Sequence, residues 1–345
     1  MIRSAVDLYC GSGGVTAGLK AAGWHVIAAC DNDPIASSTY RANHPEVTLV
    51  EDDIKKDLTI RRLVDGVAGR DVDLLIVCAP CQPFSSQNRK RGEDLREPLI
   101  VRSPSAVSVL RPKLIFFENV PGLATPSYIS VLEELRCGLG SLRFCMTDPI
   151  VRDAACYGVP QRRRRCVMLA AEERSALDAF EAALIERKST TVRDAIFNLR
   201  PLRTGEVDPK DSLHRARRHS TIALERLRHI PWDGGSRHSL PPNLELECHR
   251  GSRAFPDVYG RMKWDSVAPT LTTGCSDLTR GRFAHPQQDR AITLREAARL
   301  QTFPDEYNFT GNIGQVARQL GNAVPPVMIT VFAAAFEAAL GASVT

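Results

Sequence analysis

Residues 72–86 read Val-Asp-Leu-Leu-Ile-Val-Cys-Ala-Pro-Cys-Gln-Pro-Phe-Ser-Ser. The apolar run 72–78 has the length and the Val/Ile/Leu content of a strand buried on both faces, and the Ala-Pro-Cys step ends it. Strands of that kind belong to parallel sheets covered by helices. The residues just past their carboxyl ends line the crevice in which such sheets bind ligands. Cys81 is therefore presented to a cleft rather than packed in a core.

Six further strand-like runs, at 4–9, 25–30, 47–50, 114–117, 144–150 and 166–170, alternate with helical patterns at 15–22, 35–42, 59–67 and 128–136. This alternation predicts an α/β fold, a doubly wound and mostly parallel sheet. From about 190 to 290 the alternation stops and Pro, Arg and His become frequent, which predicts a smaller, irregular domain. Thr293 and Glu296 have capping-box spacing, and a helical face runs on until Pro304. The apolar stretch 327–340 predicts a buried helix returning to the first domain. The expected division is thus 1–185 with 315–345, an irregular domain at 186–290, and a connecting helix or hinge at 291–314. No internal repeat or low-complexity tract interrupts it.

Composition narrows the class. With 43% hydrophobic and 25% charged residues, the chain reads as globular. No apolar run approaches a membrane span, and Met1-Ile2-Arg3-Ser4 leads into a strand rather than a signal peptide. The expectation is a cytoplasmic protein, associated with the nucleoid and without a membrane partner. The net charge of +5 is uneven: residues 187–228 hold eleven Lys/Arg against five Asp/Glu. A basic segment suits a polyanionic partner, although a solvated Arg-rich surface gives the same count. Ten cysteines in such a chain predict reduced thiols. The pair Cys78 and Cys81 has zinc spacing but no second pair to complete a site, so no metal is expected. Cys10, Cys30, Cys145 and Cys166 lie in or beside apolar runs and read as small core residues.

The first strand ends in Asp7-Leu8-Tyr9-Cys10-Gly11-Ser12-Gly13-Gly14. Glycines at a strand-to-helix turn let a ligand approach the backbone. The strict dinucleotide fingerprint fails, because Thr16 stands where its third glycine belongs. Asp31 closes the second strand, where a carboxylate accepts ribose hydroxyls, and Asp53 follows the third, where it can accept from an adenine amine. Adenosine without pyrophosphate points to S-adenosylmethionine. The competing reading is that Asp31 and Asp53 cap the helices after them.

The chemistry of Cys81 follows from its neighbours. Carbon 5 of cytosine is a poor nucleophile until a thiolate adds to C6, and an ordinary thiol of pKa about 8.5 is largely protonated at neutrality. A helix start and nearby Arg side chains would lower that value. Attack sends electron density to N3, which then needs a donor. Glu118, in Leu114-Ile115-Phe116-Phe117-Glu118-Asn119-Val120, ends the next apolar strand, where burial would favour a protonated carboxyl. A capping or salt-bridge role is the alternative. In Gln161-Arg162-Arg163-Arg164-Arg165 an extended backbone puts Arg163 and Arg165 on one face and Arg162 and Arg164 on the other; one pair would enter the cleft to hold the pyrimidine O2 and orient Glu118, and the other would meet phosphate or solvent. A basic edge strand that blocks aggregation has the same pattern.

Taken together, these segments resemble the C5-cytosine DNA methyltransferases of bacterial and phage type. The resemblance rests on Asp7–Gly14, Asp31, Asp53, Pro80-Cys81-Gln82, Glu118-Asn119-Val120, Gln161-x-Arg163-x-Arg165, the stretch Arg295 to Pro304, and Gly321-Asn322-Ala323-Val324-Pro325-Pro326. These run in order over nearly the whole chain outside about 190–260. The family's implied fold is the Rossmann-like methyltransferase sheet with a target-recognition domain, here the irregular span. Its implied reaction is methyl transfer from S-adenosylmethionine to C5 of a flipped-out cytosine in a specific duplex DNA sequence. By the same resemblance Cys81 is the nucleophile, Glu118 the N3 partner, and Arg163 and Arg165 the pocket organisers. Tyr9, Cys10, Gly11, Gly13, Gly14, Asp31, Asp53, Ile54, Pro80 and Asn322 would hold the cofactor. Gln82 and Ser85 would contact the opened strand, though turn chemistry also explains them, and Thr270 would meet phosphate.

Two positions depart from the family pattern: Tyr9 replaces the usual Phe, and Asn32 stands where a bulky residue is common. The Arg/His run from His214 to His219 suits phosphate contacts, while Trp232, Trp264 and Tyr259 are expected to form the small domain's core. A monomer is expected, with a restriction endonuclease as functional partner. An RNA methyltransferase and a DNA-binding regulator with a vestigial pocket are the competing functions.

Overall fold

The computed structural model describes residues 2–80, 99–247 and 256–342. Its main sheet has eight strands: β1 (Ser4–Leu8), β2 (His25–Asp31), β3 (Thr48–Glu51), β4 (Leu74–Val77), β5 (Leu114–Asn119), β6 (Cys145–Met146), β7 (Ile150–Asp153) and β8 (Arg164–Ala171). The order is β3-β2-β1-β4-β5-β8-β6, with β7 also on β8. Strands β1 to β5 are mutually parallel, and β8 runs antiparallel to β5, β6 and β7. This is the doubly wound, Rossmann-like α/β class. The order reverses beside β1, whose neighbours are β2 and β4, so a crevice opens past the ends of β1 and β4.

Helices α1 (Gly14–Ala21), α2 (Pro34–Asn43), α3 (Asp57–Val67), α4 (Ser103–Leu110), α5 (Ile129–Gly140) and α6 (Arg174–Ala183) cover the sheet. The expected strand at 144–150 is two strands instead. Pro149 has no N–H to continue a ladder, and Thr147 bridges the gap by donating its N–H to Leu169 O and accepting Leu169 N on its hydroxyl.

The chain divides into two compact units. The first holds residues 1–157, 164–187 and 324–345, and the second holds 158–163 and 188–323. The boundaries differ from those expected. Residues 291–314 are no separate hinge, and 315–323 do not belong with the first unit. The reason is local packing: α9 (Leu294–Leu300) lies against α10 (Ile313–Asn322), and both remain with the second unit.

In the first unit the last helix, α11 (Pro326–Ala342), buries Met328, Ile329, Phe332 and Phe336. Phe116 of β5 meets Phe332 and Phe336 edge-on at 5.8 and 5.3 Å, and Phe180 stacks on Phe336 at 5.4 Å. Gly18 of α1 is needed for this layer, since a Cβ there would lie 2.4 Å from Pro326 O.

The second unit adds α7 (Val192–Ile196), the short ladder of β9 (Val207–Asp208) and β10 (Asp211–Arg215), and α8 (Thr221–His229). Its apolar core gathers Leu227, Ile230, Leu240, Leu244, Tyr259 and Leu278. With so little ladder, buried arginines satisfy the backbone instead. Arg261, fully buried, donates to the carbonyls of Leu227, Ile230, His285 and Gln288 and pairs with Asp289. Arg290 forms a two-bond fork with Glu296 at 2.8 and 2.7 Å. Burial alone would raise the Glu296 carboxyl, but the Arg290 guanidinium outweighs it and holds the group at about 2. The same environment pushes His285 down to about 4, chiefly through burial.

Two expectations for this unit are corrected. Trp264 and Tyr259 are buried, but Trp232 is 64% exposed. His214 does not face phosphate: it is wholly buried, with its ring nitrogens on Thr293 Oγ1 and Arg200 O.

Candidate active site

The turn after β1 carries three successive demands on the backbone. Tyr9, Gly11 and Gly13 have φ of 59°, 52° and 90°. Glycine meets that demand freely at two of them, while Tyr9 is a non-glycine in the left-handed region, fixed by donating its hydroxyl to Leu99 O at 3.0 Å. Gly13 precedes α1 without any side-chain cap, so the helix's first N–H groups rely on other partners. A Cβ on Gly11 would meet nothing within 4 Å, which makes its outer side open space. Cys10 is buried, and burial pushes its thiol well above the ordinary range.

Asp31 ends β2 beside this turn. Its Oδ2 accepts Gly11 N and its Oδ1 accepts Asp33 N, both at 2.8 Å. Burial is the main cause of its raised pKa, with these backbone donors opposing. The capping role falls to Asp33, whose Oδ1 accepts Ile35 N and Ala36 N ahead of Pro34. Asp53 does not cap α3 either, because its Oδ1 accepts Lys55 N while the N-cap of α3 is Lys56. Both carboxylates are thus free of helix capping and keep lone pairs for a ligand. Ile54 is buried in the core cluster near Val50 and Leu63.

Two buried groups beneath the turn escaped the sequence reading. Asp7 Oδ2 accepts from Thr16 Oγ1 at 2.9 Å, and Thr16 meets Tyr40 Oη at 2.8 Å. Burial pushes the Asp7 carboxyl up to about 7, and its Oδ1 has no hydrogen-bond partner.

Beside the turn, β1 and β4 pair through Leu8 and Val77, and Cys78 N donates to Leu8 O. The chain then passes Ala79 and the exposed Pro80. Cys81, Gln82 and Ser85 lie outside the described residues. Their approach is fixed from β5: Asn119 Nδ2 donates to Ala79 O at 3.1 Å, and its Oδ1 accepts Val120 N. One residue earlier, the buried Glu118 carboxylate sits 2.8 Å from Arg165 Nε on β8. That contact supplies the arginine expected to orient the Glu118 carboxyl.

Arg163 and Arg165 have the expected alternation, with Arg162 and Arg164 exposed, but different partners. Arg163 is 1% exposed and donates to Leu271 O at 3.3 Å and Gly321 O at 3.0 Å, within the second unit. No space separates these segments, because a Cβ on Gly321 would lie 2.5 Å from the Thr272 backbone. Gln161 joins the same knot through Leu271 N and Gln301. Thr270 is exposed and donates its hydroxyl to Arg162 O at 2.6 Å. Asn322 is exposed at the end of α10.

The sequence model of the family described as C-5 cytosine-specific DNA methylase matches residues 4–338. The type II methylase M.HgiDII of Herpetosiphon aurantiacus is 36% identical, with 96% of this chain and 94% of that one aligned. The type II methyltransferase M.PspPI of a Psychrobacter strain is 33% identical, over 93% and 76% of the two chains. Among solved structures, a DNA modification methyltransferase encoded within an E. coli prophage superimposes with a TM-score of 0.76 over 98% of this chain and 99% of that one. Its 22% identity makes it a likeness of fold.

Proposed function

Because the chain belongs to the C-5 cytosine-specific DNA methylase family, we propose that Cys81, Glu118 and Arg165 carry its reaction. The enzyme is an S-adenosylmethionine-dependent DNA (cytosine-5-)-methyltransferase, and neither the RNA enzyme nor the vestigial regulator is retained. The observation that supports these residue roles is the end of β5. There Asn119 anchors the backbone two residues before Cys81 while Arg165 holds Glu118 in place.

The Cys81 thiolate adds to C6 of an extruded cytosine, and the ring electrons shift toward C5 and N3. Glu118 meets N3, with Arg165 fixing its carboxyl orientation. S-adenosylmethionine supplies the methyl group that C5 takes up. The C5 proton then passes to solvent, its electron pair re-forms the C5–C6 double bond, and the C6–S bond breaks to release Cys81 as thiolate. Asp31 and Asp53, free of capping duty, together with the open side of Gly11, fit an adenosine group, and Tyr9, Cys10, Gly13, Gly14, Ile54, Pro80 and Asn322 complete the proposed cofactor set. Gln82, Ser85 and Thr270 are assigned to DNA. Arg163 is assigned a positioning role, through the carbonyls of Leu271 and Gly321.

The second unit is assigned target recognition in duplex DNA. The type II names of the relatives support a place in a restriction-modification system, with a cognate endonuclease acting on the same sequence. The enzyme is assigned as a monomer in the cytoplasm, since one extruded base needs one pocket.

Duplex DNA carrying 5-fluorocytosine, incubated with enzyme and S-adenosylmethionine, tests the mechanism, because fluorine cannot leave as a proton does. A denaturation-resistant adduct is expected with wild type and none with Cys81→Ala. An undiminished adduct with the variant would exclude Cys81 as nucleophile.

A further inference from the structure

Of the three tryptophans, Trp24 and Trp264 are 4% and 8% exposed, whereas Trp232 is 64% exposed. An indole in water contributes nothing to a core, yet the turn that carries it is held from several sides. Asp233 and Gly234 have φ of 54° and 107°. Asp233 N donates to Pro286 O at 2.8 Å, and its Oδ1 accepts Trp264 N at 2.6 Å. Arg282 Nη1 donates to Gly234 O and Gly235 O at 3.0 and 3.1 Å, while Arg261 N donates to Gly235 O at 2.9 Å. A Cβ on Gly235 would fall 2.2 Å from Pro231 O, so the turn has one tight path. Its polar groups point inward, and its large side chain points out.

The surroundings are basic. Arg228 and His229 are exposed at the end of α8, just before the turn, and the exposed Lys263 packs its stem 3.5 Å from the Cβ direction of Gly234. The neighbouring carboxylates are already committed. Asp233 is bonded to Trp264 N, and Asp265 takes a two-bond fork from Arg193 at 2.7 and 3.1 Å. An exposed indole on a fixed turn, with basic side chains on the neighbouring segments, is the kind of surface that stacks on a base or deoxyribose while its flanks meet phosphates.

We propose that Trp232 is a DNA-contacting residue of the second unit, its indole stacking on a base or deoxyribose of the duplex, with Arg228 and Lys263 on adjacent phosphates. This rests on the reading that the enzyme acts on duplex DNA through its second unit.

The test uses the full chain and a duplex whose methylated cytosine has first been mapped with wild type. Trp232→Ala should weaken duplex binding and raise KM for DNA by about ten-fold or more, with KM for S-adenosylmethionine unchanged. Trp232→Phe should recover most of that loss, and Lys263→Ala should reduce the salt dependence of binding by about one phosphate contact. The melting temperature of each variant should match wild type, because the indole is outside the core. Unchanged binding and KM in Trp232→Ala would overturn the proposal, as would a loss accompanied by lowered melting temperature and no recovery with Phe. Failure of wild type to form the 5-fluorocytosine adduct would instead strike the underlying reading, so the two failures are distinct.

Discussion

Replacing Glu296 by Gln removes one charge from the interior of the second unit and leaves Arg290 there, fully buried and facing a neutral amide. Two routes give the size of the effect. Deleting one partner of a buried pair costs about 3–5 kcal/mol. Independently, the Glu296 carboxyl is held at about 2 against an ordinary 4.5. At about 1.4 kcal/mol per pKa unit that is ~3 kcal/mol. The sign follows from the depression: the contribution is complete above about pH 4.5 and is lost as pH falls toward 2. Urea unfolding at neutral pH, followed by tryptophan emission, reports on this region because Trp264 lies 5.2 Å from the His285 ring. Glu296→Gln should lower the unfolding free energy by about 3 kcal/mol. Wild type should converge on the variant as the solution is acidified. Arg290→Met combined with Glu296→Leu should cost less than the single change, since no orphaned charge remains. A loss below about 1 kcal/mol, or a double variant worse than the single, would refute the electrostatic account.

Three further outcomes are expected. Gly18→Ala should lower stability by about 1–3 kcal/mol despite alanine's helix propensity, because α1 and α11 leave no room for a methyl; calorimetry checks this. Asp7, pushed up to about 7 by burial, contributes fully below the unfolded value near pH 3.8 and loses that contribution as pH rises through 7. Asp7→Asn should therefore be the more stable protein at alkaline pH, by at most ~4 kcal/mol, with the advantage vanishing near pH 4 in denaturant titrations. Glu118→Gln should reduce kcat by about 100-fold or more while calorimetric S-adenosylmethionine affinity stays within about two-fold. Loss of cofactor binding instead would show that Glu118 acts on the wrong ligand.

The central strands were legible because fully buried parallel strands are written as unbroken apolar runs, and the ends of those runs located Asp31, Glu118 and the approach to Cys81. Pro149 was the readable sign that the run 144–150 divides. Helix α10 was equally readable: Asn312 and Gln315 form a capping box, and Ile313, Val316, Ala317 and Leu320 repeat at helical spacing. What the sequence concealed depends on pairings between distant segments. Nothing local marks Arg290 as the partner of Glu296, or Arg163 as the residue that holds Leu271 and Gly321. Nor does composition tell Trp264 from Trp232. The first is buried by the chain around it, and the second is turned outward by left-handed backbone at Asp233 and Gly234. Burial of Glu118 was foreseen, and so was an arginine beside it, which proves to be Arg165.

Helix α11 is synthesised after the entire second unit, yet it forms a wall of the first. Until it emerges from the ribosome, Phe116 and Phe180 lack their aromatic neighbours, and the β5 face is left apolar and wet. A nascent chain paused anywhere in the second unit would be sticky, and a stop codon just ahead of Pro326 should yield inclusion bodies rather than a smaller enzyme.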